Sequence, residues 1–185
     1  MKFKGNIVWM WILIFSVTAC SKEENPTNLP EGDTAITAQI DSEHWEAVEY
    51  ESALSVVPGK GQFFELSGSG SKYKLNLSVL EFDRATGTIS EGIYEETENY
   101  FLKLFIADEE GNYLIEYKPM PAEEVEEAPV NITITASTNS RISGTFTGIV
   151  YKTSPDPEEE YPEFLIITNG VFNNLPFETH TINIQ

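Results

Sequence analysis

Residues 73–79 read YKLNLSV, an unbroken alternation of apolar and polar side chains. It places Tyr73, Leu75, Leu77 and Val79 on one face and Lys74, Asn76 and Ser78 on the other. A period of two is the signature of a strand with one face in a core and one in water; a helix would need a period near 3.6. The pattern recurs along the chain. Val130 to Thr135 (VNITIT) alternates with Asn and Thr outward, and Ile142, Phe146 and Val150 share a face opposite Ser143, Thr145 and Thr147. Tyr100 to Ile106 (YFLKLFI) is nearly all apolar and reads as a central strand covered on both faces. Further strands are expected over 34–41, 44–50, 52–57, 62–68, 86–94, 112–118, 163–168, 170–175 and 179–184.

Turn chemistry separates these runs. Asp108-Glu109-Glu110-Gly111-Asn112 joins two apolar runs as a hairpin, and Asn169-Gly170 marks a turn or a bulge. SGSGS, 67–71, reads as a flexible turn between strands. Pro119 to Pro129 and Ser154 to Pro162 are acidic and proline-bounded, so both read as exposed loops. No long window carries a helical stripe. Many short strands without helices predict an all-β fold, an antiparallel β-sandwich of about ten strands, with a closed β-barrel as the alternative.

The chain has 185 residues, suited to one domain, and 41 % of them are apolar, enough for a core and too many for a disordered chain. It carries 30 acidic against 11 basic residues. A field of that sign repels phosphate backbones and anionic headgroups, so nucleic acid is not an expected partner. The single cysteine, Cys20, rules out an internal disulfide, and packing has to supply the stability.

The first nineteen residues form a leader. Met1-Lys2-Phe3-Lys4 is a basic head, Ile7 to Val17 is an apolar centre, and Thr18 and Ala19 are a small-residue exit. The centre is too short to span a bilayer comfortably. Val17-Thr18-Ala19-Cys20 resembles the bacterial lipobox, which implies cleavage before Cys20 and a lipid on its sulfur. Several acyl chains, at about 0.8 kcal/mol per buried methylene, give a lasting membrane anchor. Residues 20–33 are then the lipidated cysteine and a flexible acidic tether, and 34–185 a single all-β domain. Ser21-Lys22-Glu23-Glu24 resembles the surface-export signal of Bacteroidota lipoproteins, which implies an outer-membrane protein facing outward, with the periplasmic face as the alternative. Asp33-Thr34-Ala35 resembles the short O-glycosylation sequon of the same bacteria, with Thr34 as acceptor.

Ala38-Gln39-Ile40-Asp41-Ser42-Glu43-His44-Trp45-Glu46-Ala47, the late segment ISGTF at 142–146 and ITNGVF at 167–172 together resemble a family of Bacteroidota lipoproteins with a domain of unknown function. The resemblance spans roughly residues 34–185, where Ser42 replaces the family's usual glycine. It implies secretion, lipidation and an all-β fold, and no established activity.

The residues offer little chemistry. His44 and His180 form no closely spaced pair of zinc ligands. SGSGS is neither a nucleophile elbow nor a phosphate loop. A glycosidase needs two carboxylates about 5 to 10 Å apart with one pKa raised by burial, and 30 acids always offer such pairs. Calcium has a weak candidate site in Asp108, Glu110 and Asn112, without EF-hand spacing, and no other cofactor is expected. Trp45 is the one tryptophan left after leader removal; a ring beside acids and amides can hold sugars, but a lone Trp in a β-domain is expected in the core. The expected function is therefore a lipid-anchored, non-enzymatic binding or structural module of the cell envelope, with a protein or glycan partner. The alternative is a polysaccharide hydrolase or accessory enzyme using paired carboxylates.

The anchor gives the first test. Replacing Cys20 by Ser should move the protein from the membrane to the soluble fraction; a Cys20→Ser chain that still sediments with membranes overturns the lipid anchor.

Overall fold

The computed structural model describes residues 35–95, 102–107, 112–120, 130–154 and 160–183. Residues 1–34, which include the expected leader, Cys20, the expected tether and Thr34, lie outside the described residues, as do Tyr100, residues 108–111 of the expected hairpin, and 121–129 and 155–159 of the two acidic stretches. Twelve strands occur among the described residues: β1 (Ala35–Ile40), β2 (Glu43–Glu46), β3 (Glu49–Val57), β4 (Gly61–Ser69), β5 (Tyr73–Phe82), β6 (Gly92–Glu95), β7 (Leu102–Ala107), β8 (Tyr113–Lys118), β9 (Val130–Ser137), β10 (Arg141–Lys152), β11 (Phe164–Pro176) and β12 (Glu178–Thr181). No helix occurs among the described residues. The all-β expectation holds.

The strands form one sheet in the order β12-β3-β4-β5-β7-β8-β10-β11-β1-β2, with β9 beside β10 and β6 beside β9. Every pairing is antiparallel except β12 on β3. The closed barrel is not formed: β12 and β2 end the order without pairing to each other. β10 is the joint. One of its edges pairs with β11; the other pairs with β9 over residues 142–148 and with β8 at 151–152. The sheet folds over on itself, as in an open sandwich, and its apolar faces share one core.

YKLNLSV keeps its predicted pattern: Tyr73, Leu75, Leu77 and Val79 are buried. Trp45 is also core, 4 % exposed, and its Nε1 donates to the Tyr73 carbonyl at 3.1 Å. This bond ties β2, at one end of the sheet order, to the start of β5 in the other half. The indole needs room there. A Cβ on Gly70 would lie 2.4 Å from Trp45 Nε1 and 2.7 Å from the Glu46 carbonyl. SGSGS is therefore only partly a turn: Ser67, Gly68 and Ser69 belong to β4, and Gly70 clears the tryptophan.

ISGTF and ITNGVF pack on each other. Gly144 pairs with Phe172 and Phe146 with Gly170 across β10 and β11. Each phenylalanine fills the space over the opposite glycine. A Cβ on Gly144 would meet the Phe172 ring at 2.4 Å, and one on Gly170 the Phe146 ring at 2.5 Å. The two rings stack with centroids 6.4 Å apart.

Two expectations are corrected. The runs 163–168 and 170–175 are one strand, β11: Asn169 adopts φ 51° and adds a bulge, not a turn. Asn174, at φ 50°, makes a second bulge in the same strand. Asn is among the few non-glycine residues that enter the left-handed region readily. Finally, 86–94 is not a strand up to residue 91. The buried Gln62 side chain takes the backbone groups a ladder would use: its Oε1 accepts from the N–H groups of Thr86 and Gly87, and its Nε2 donates to the Thr88 carbonyl.

The β1–β2 turn places Asp41 at φ 49° and Ser42 at φ 71°. Asp41 offsets part of that strain by clamping β11, its N–H donating to the Ile166 carbonyl and its Oδ1 accepting from the Ile166 N–H, both at 2.8 Å. Ser42 carries the strain of a left-handed L-residue, about 1 kcal/mol. Ser42→Gly should therefore raise stability by about 1 kcal/mol in urea unfolding. Gly170→Ala should lower it by about 2 kcal/mol through overpacking on Phe146.

Candidate functional site

Of the residues singled out in the sequence, Cys20, Thr34, Asp108 and Glu110 lie outside the described residues, and Asn112 is exposed just before β8. No group of three or more His, Cys, Asp or Glu side chains able to hold a metal ion occurs among the described residues. His44 and His180 are exposed on the edge strands β2 and β12, so the fold does not bring them together. Trp45 is unavailable to a ligand because it is core. The tyrosines divide. Tyr117 is buried, its hydroxyl donating to the Pro162 carbonyl at 2.9 Å. Tyr151 stands on an outer face against Phe164, with ring centroids 6.1 Å apart.

One carboxylate is well buried. The Glu81 side chain is 8 % exposed and sits at the centre of a polar network that the sequence did not reveal. Its Oε2 accepts from Gln62 Nε2 at 2.5 Å, and its Oε1 accepts from the Ser90 N–H and the Tyr94 hydroxyl, both at 2.9 Å. Arg84 Nε lies 3.6 Å from Oε2, and the same guanidinium bonds Ser90 and Thr86. Burial pushes the Glu81 carboxyl up, but the bonds from Ser90, Gln62 and Tyr94 together hold it below its ordinary value of 4.5. Burial, then the neighbouring Glu81 charge, pushes the Tyr94 phenol up to about 12. A general acid needs its proton near neutral pH, and Glu81 is tuned the opposite way. The network holds the segment between β5 and β6 on the sheet.

The outer faces of the two halves differ in charge. Across β3, β4, β5, β7 and β8 the outward positions include Glu51, Glu65, Lys74, Lys103 and Glu116. The face across β9, β10, β11 and β1 is uncharged. From Ser143 to Tyr151, β10 points Ser143, Thr145, Thr147, Ile149 and Tyr151 outward; β11 adds Phe164, Ile166, Thr168, Val171 and Asn173. Asn131, Thr133 and Thr135 extend it on β9, and Thr37 and Gln39 on β1. Charge begins at its border, with Arg141 at one end, Glu46 on β2 and Lys118 on β8 opposite Tyr151. Phe164 is 49 % exposed, Ile166 42 % and Val171 40 %. In a chain with 30 acidic residues, an uncharged plane of hydroxyls, amides, aliphatics and two rings is a marked departure. Asn169 Nδ2 donates to Gln39 Oε1 at 2.9 Å, fixing two of its amides.

No family model, curated protein or solved structure matches the chain.

The network sets an acid limit. A carboxyl whose pKa is lower in the fold than in the unfolded chain stabilises the fold fully above the unfolded value, and the gain is lost as pH falls from about 4.5 toward the folded pKa. Glu81→Gln should cost about 2 kcal/mol at neutral pH and make stability flatter below about pH 4.5, read from urea midpoints across pH.

Proposed function

We propose that this chain is a lipid-anchored binding module of the bacterial cell envelope, held in the outer membrane through Cys20 and displayed outward. It meets a protein or glycan partner through the uncharged face of β9, β10, β11 and β1. The observation that carries this reading is the absence of charge, among the described residues, from that face in so acidic a chain. Interface centres are depleted of charged residues, as this plane is. Thr and Asn side chains offer donors and acceptors, while Tyr151 and Phe164 offer an apolar ring pair. At physiological salt, charges beyond about 8 Å are largely screened, so carboxylates on the opposite outer face do not oppose an approach from this side. The hydrolase reading gains nothing from Glu81, whose oxygens are taken up by hydrogen bonds.

The test uses outward substitutions that leave the core intact. Purified lipidated chain in detergent micelles is incubated separately with the uncharged envelope polysaccharide and the outer-membrane protein fraction of the producing bacterium. One of the two should be retained, with little dependence on salt. Ile166→Glu and Thr145→Glu should each weaken retention by about tenfold or more while the thermal midpoint stays within a few degrees. Retention of neither fraction, or undiminished retention by both variants, overturns the reading.

A further inference from the structure

The opposite outer face carries a groove that the function proposed above does not use. It has a volume of about 810 Å³ and runs along β3, β4 and β5 to the edge strand β12. A smaller hollow of about 460 Å³ shares Tyr50, Glu51, Ser67 and Lys74 with it and extends it toward Glu49 and Ser69. The groove follows from side-chain size: Ser67, Ser78 and Ala53 are short, and the longer Glu51, Glu65 and Lys74 stand beside them. The serines of SGSGS thus form part of its floor.

We infer that this groove is a binding site for an uncharged oligosaccharide. Two observations lead there. First, Asn76 Oδ1 is enclosed at the groove and has no hydrogen-bond partner among the described residues. A buried acceptor left unpaired is costly, and a ligand hydroxyl that displaces the side chains enclosing it and donates to it removes the cost. Second, the register places Glu51 opposite Ser67, with Asn76 beyond it on β5, and Glu65 between Ala53 on β3 and Ser78 on β5. Glu51 and Glu65 are therefore diagonal neighbours across β3 and β4, about 7 Å apart. Between and beside them stand hydroxyl donors and the Lys74 ammonium. Acceptors and donors interleaved at sheet spacing suit vicinal hydroxyls, each of which both gives and takes a hydrogen bond. Three carboxylates, Glu51, Glu65 and Glu178, against one Lys74 disfavour uronates and sulfated sugars. The volume suits a ligand on the order of three sugar units.

The inference is independent of the uncharged face and is tested separately. Purified lipidated chain in detergent micelles is titrated calorimetrically with cello-, xylo-, manno- and malto-oligosaccharides, with a galacturonate oligosaccharide and with spermine. At least one neutral series should bind, and galacturonate should bind about tenfold more weakly or not at all. Glu65→Ala and Asn76→Ala should each weaken the neutral ligand by about tenfold, with unchanged thermal midpoints confirming that both variants fold. Ile166→Glu should leave this binding intact, which separates the groove from the partner face. No neutral binding at about 10 mM, tighter binding of spermine than of any sugar, or binding unaffected by both groove substitutions overturns the inference.

Discussion

The reciprocal contact between ISGTF and ITNGVF sets the geometry on which the rest depends. Gly144 takes the ring of Phe172 and Gly170 takes the ring of Phe146, so β10 and β11 meet in a single register. A slip of β11 by one residue would turn the Phe172 ring to solvent and put each glycine opposite the wrong neighbour. Register here has wide consequences because β10 is the joint of the sheet. On its other edge it holds β9 and β8, and β8 continues the sheet into the other half. The bulges at Asn169 and Asn174 re-phase β11 on either side of the lock, keeping Leu165, Ile167, Phe172 and Leu175 in the core.

The same phase decides what the outer faces present. With the phenylalanines inward, the intervening threonines, Ile149, Ile166 and Val171 point outward together and make the uncharged plane. On the other half, the phase of β3, β4 and β5 puts short serines beside long acids and opens the groove. Two outer faces of one sheet thus differ in chemistry, one neutral and broad, one charged and hollow. The polar network around Glu81 serves a third purpose. It fastens a segment whose backbone makes no ladder, using a carboxylate, an amide and a phenol whose bonds are made within the network.

Some of this was legible in the sequence. Alternation identified the strands of YKLNLSV and VNITIT and the side of each that is buried, because a period of two has no other common cause. The lone Trp45 was expected in the core and lies there. Asn169-Gly170 was read as a turn or a bulge, and the choice between them was illegible because the partner strands decide it. The segment 86–94 misled because Thr86, Thr88 and Ser90 alternate with Gly87 and Ile89, while Gln62, far off in sequence, claims the backbone groups. Of the candidate site, Ser67, Lys74 and Asn76 were visible only as the polar side of two strands.

The sequence by itself determined the all-β class, the inward side of the clearest strands and the strongly acidic charge. These are properties of composition and local period, which need no partner strand. Tertiary structure alone decided the open sheet order, the bulges in β11, the burial of Glu81 and the separation of a neutral face from a charged groove. Each depends on which strand lies beside which and in what register. That pairing joins residues tens of positions apart, and no local pattern carries it.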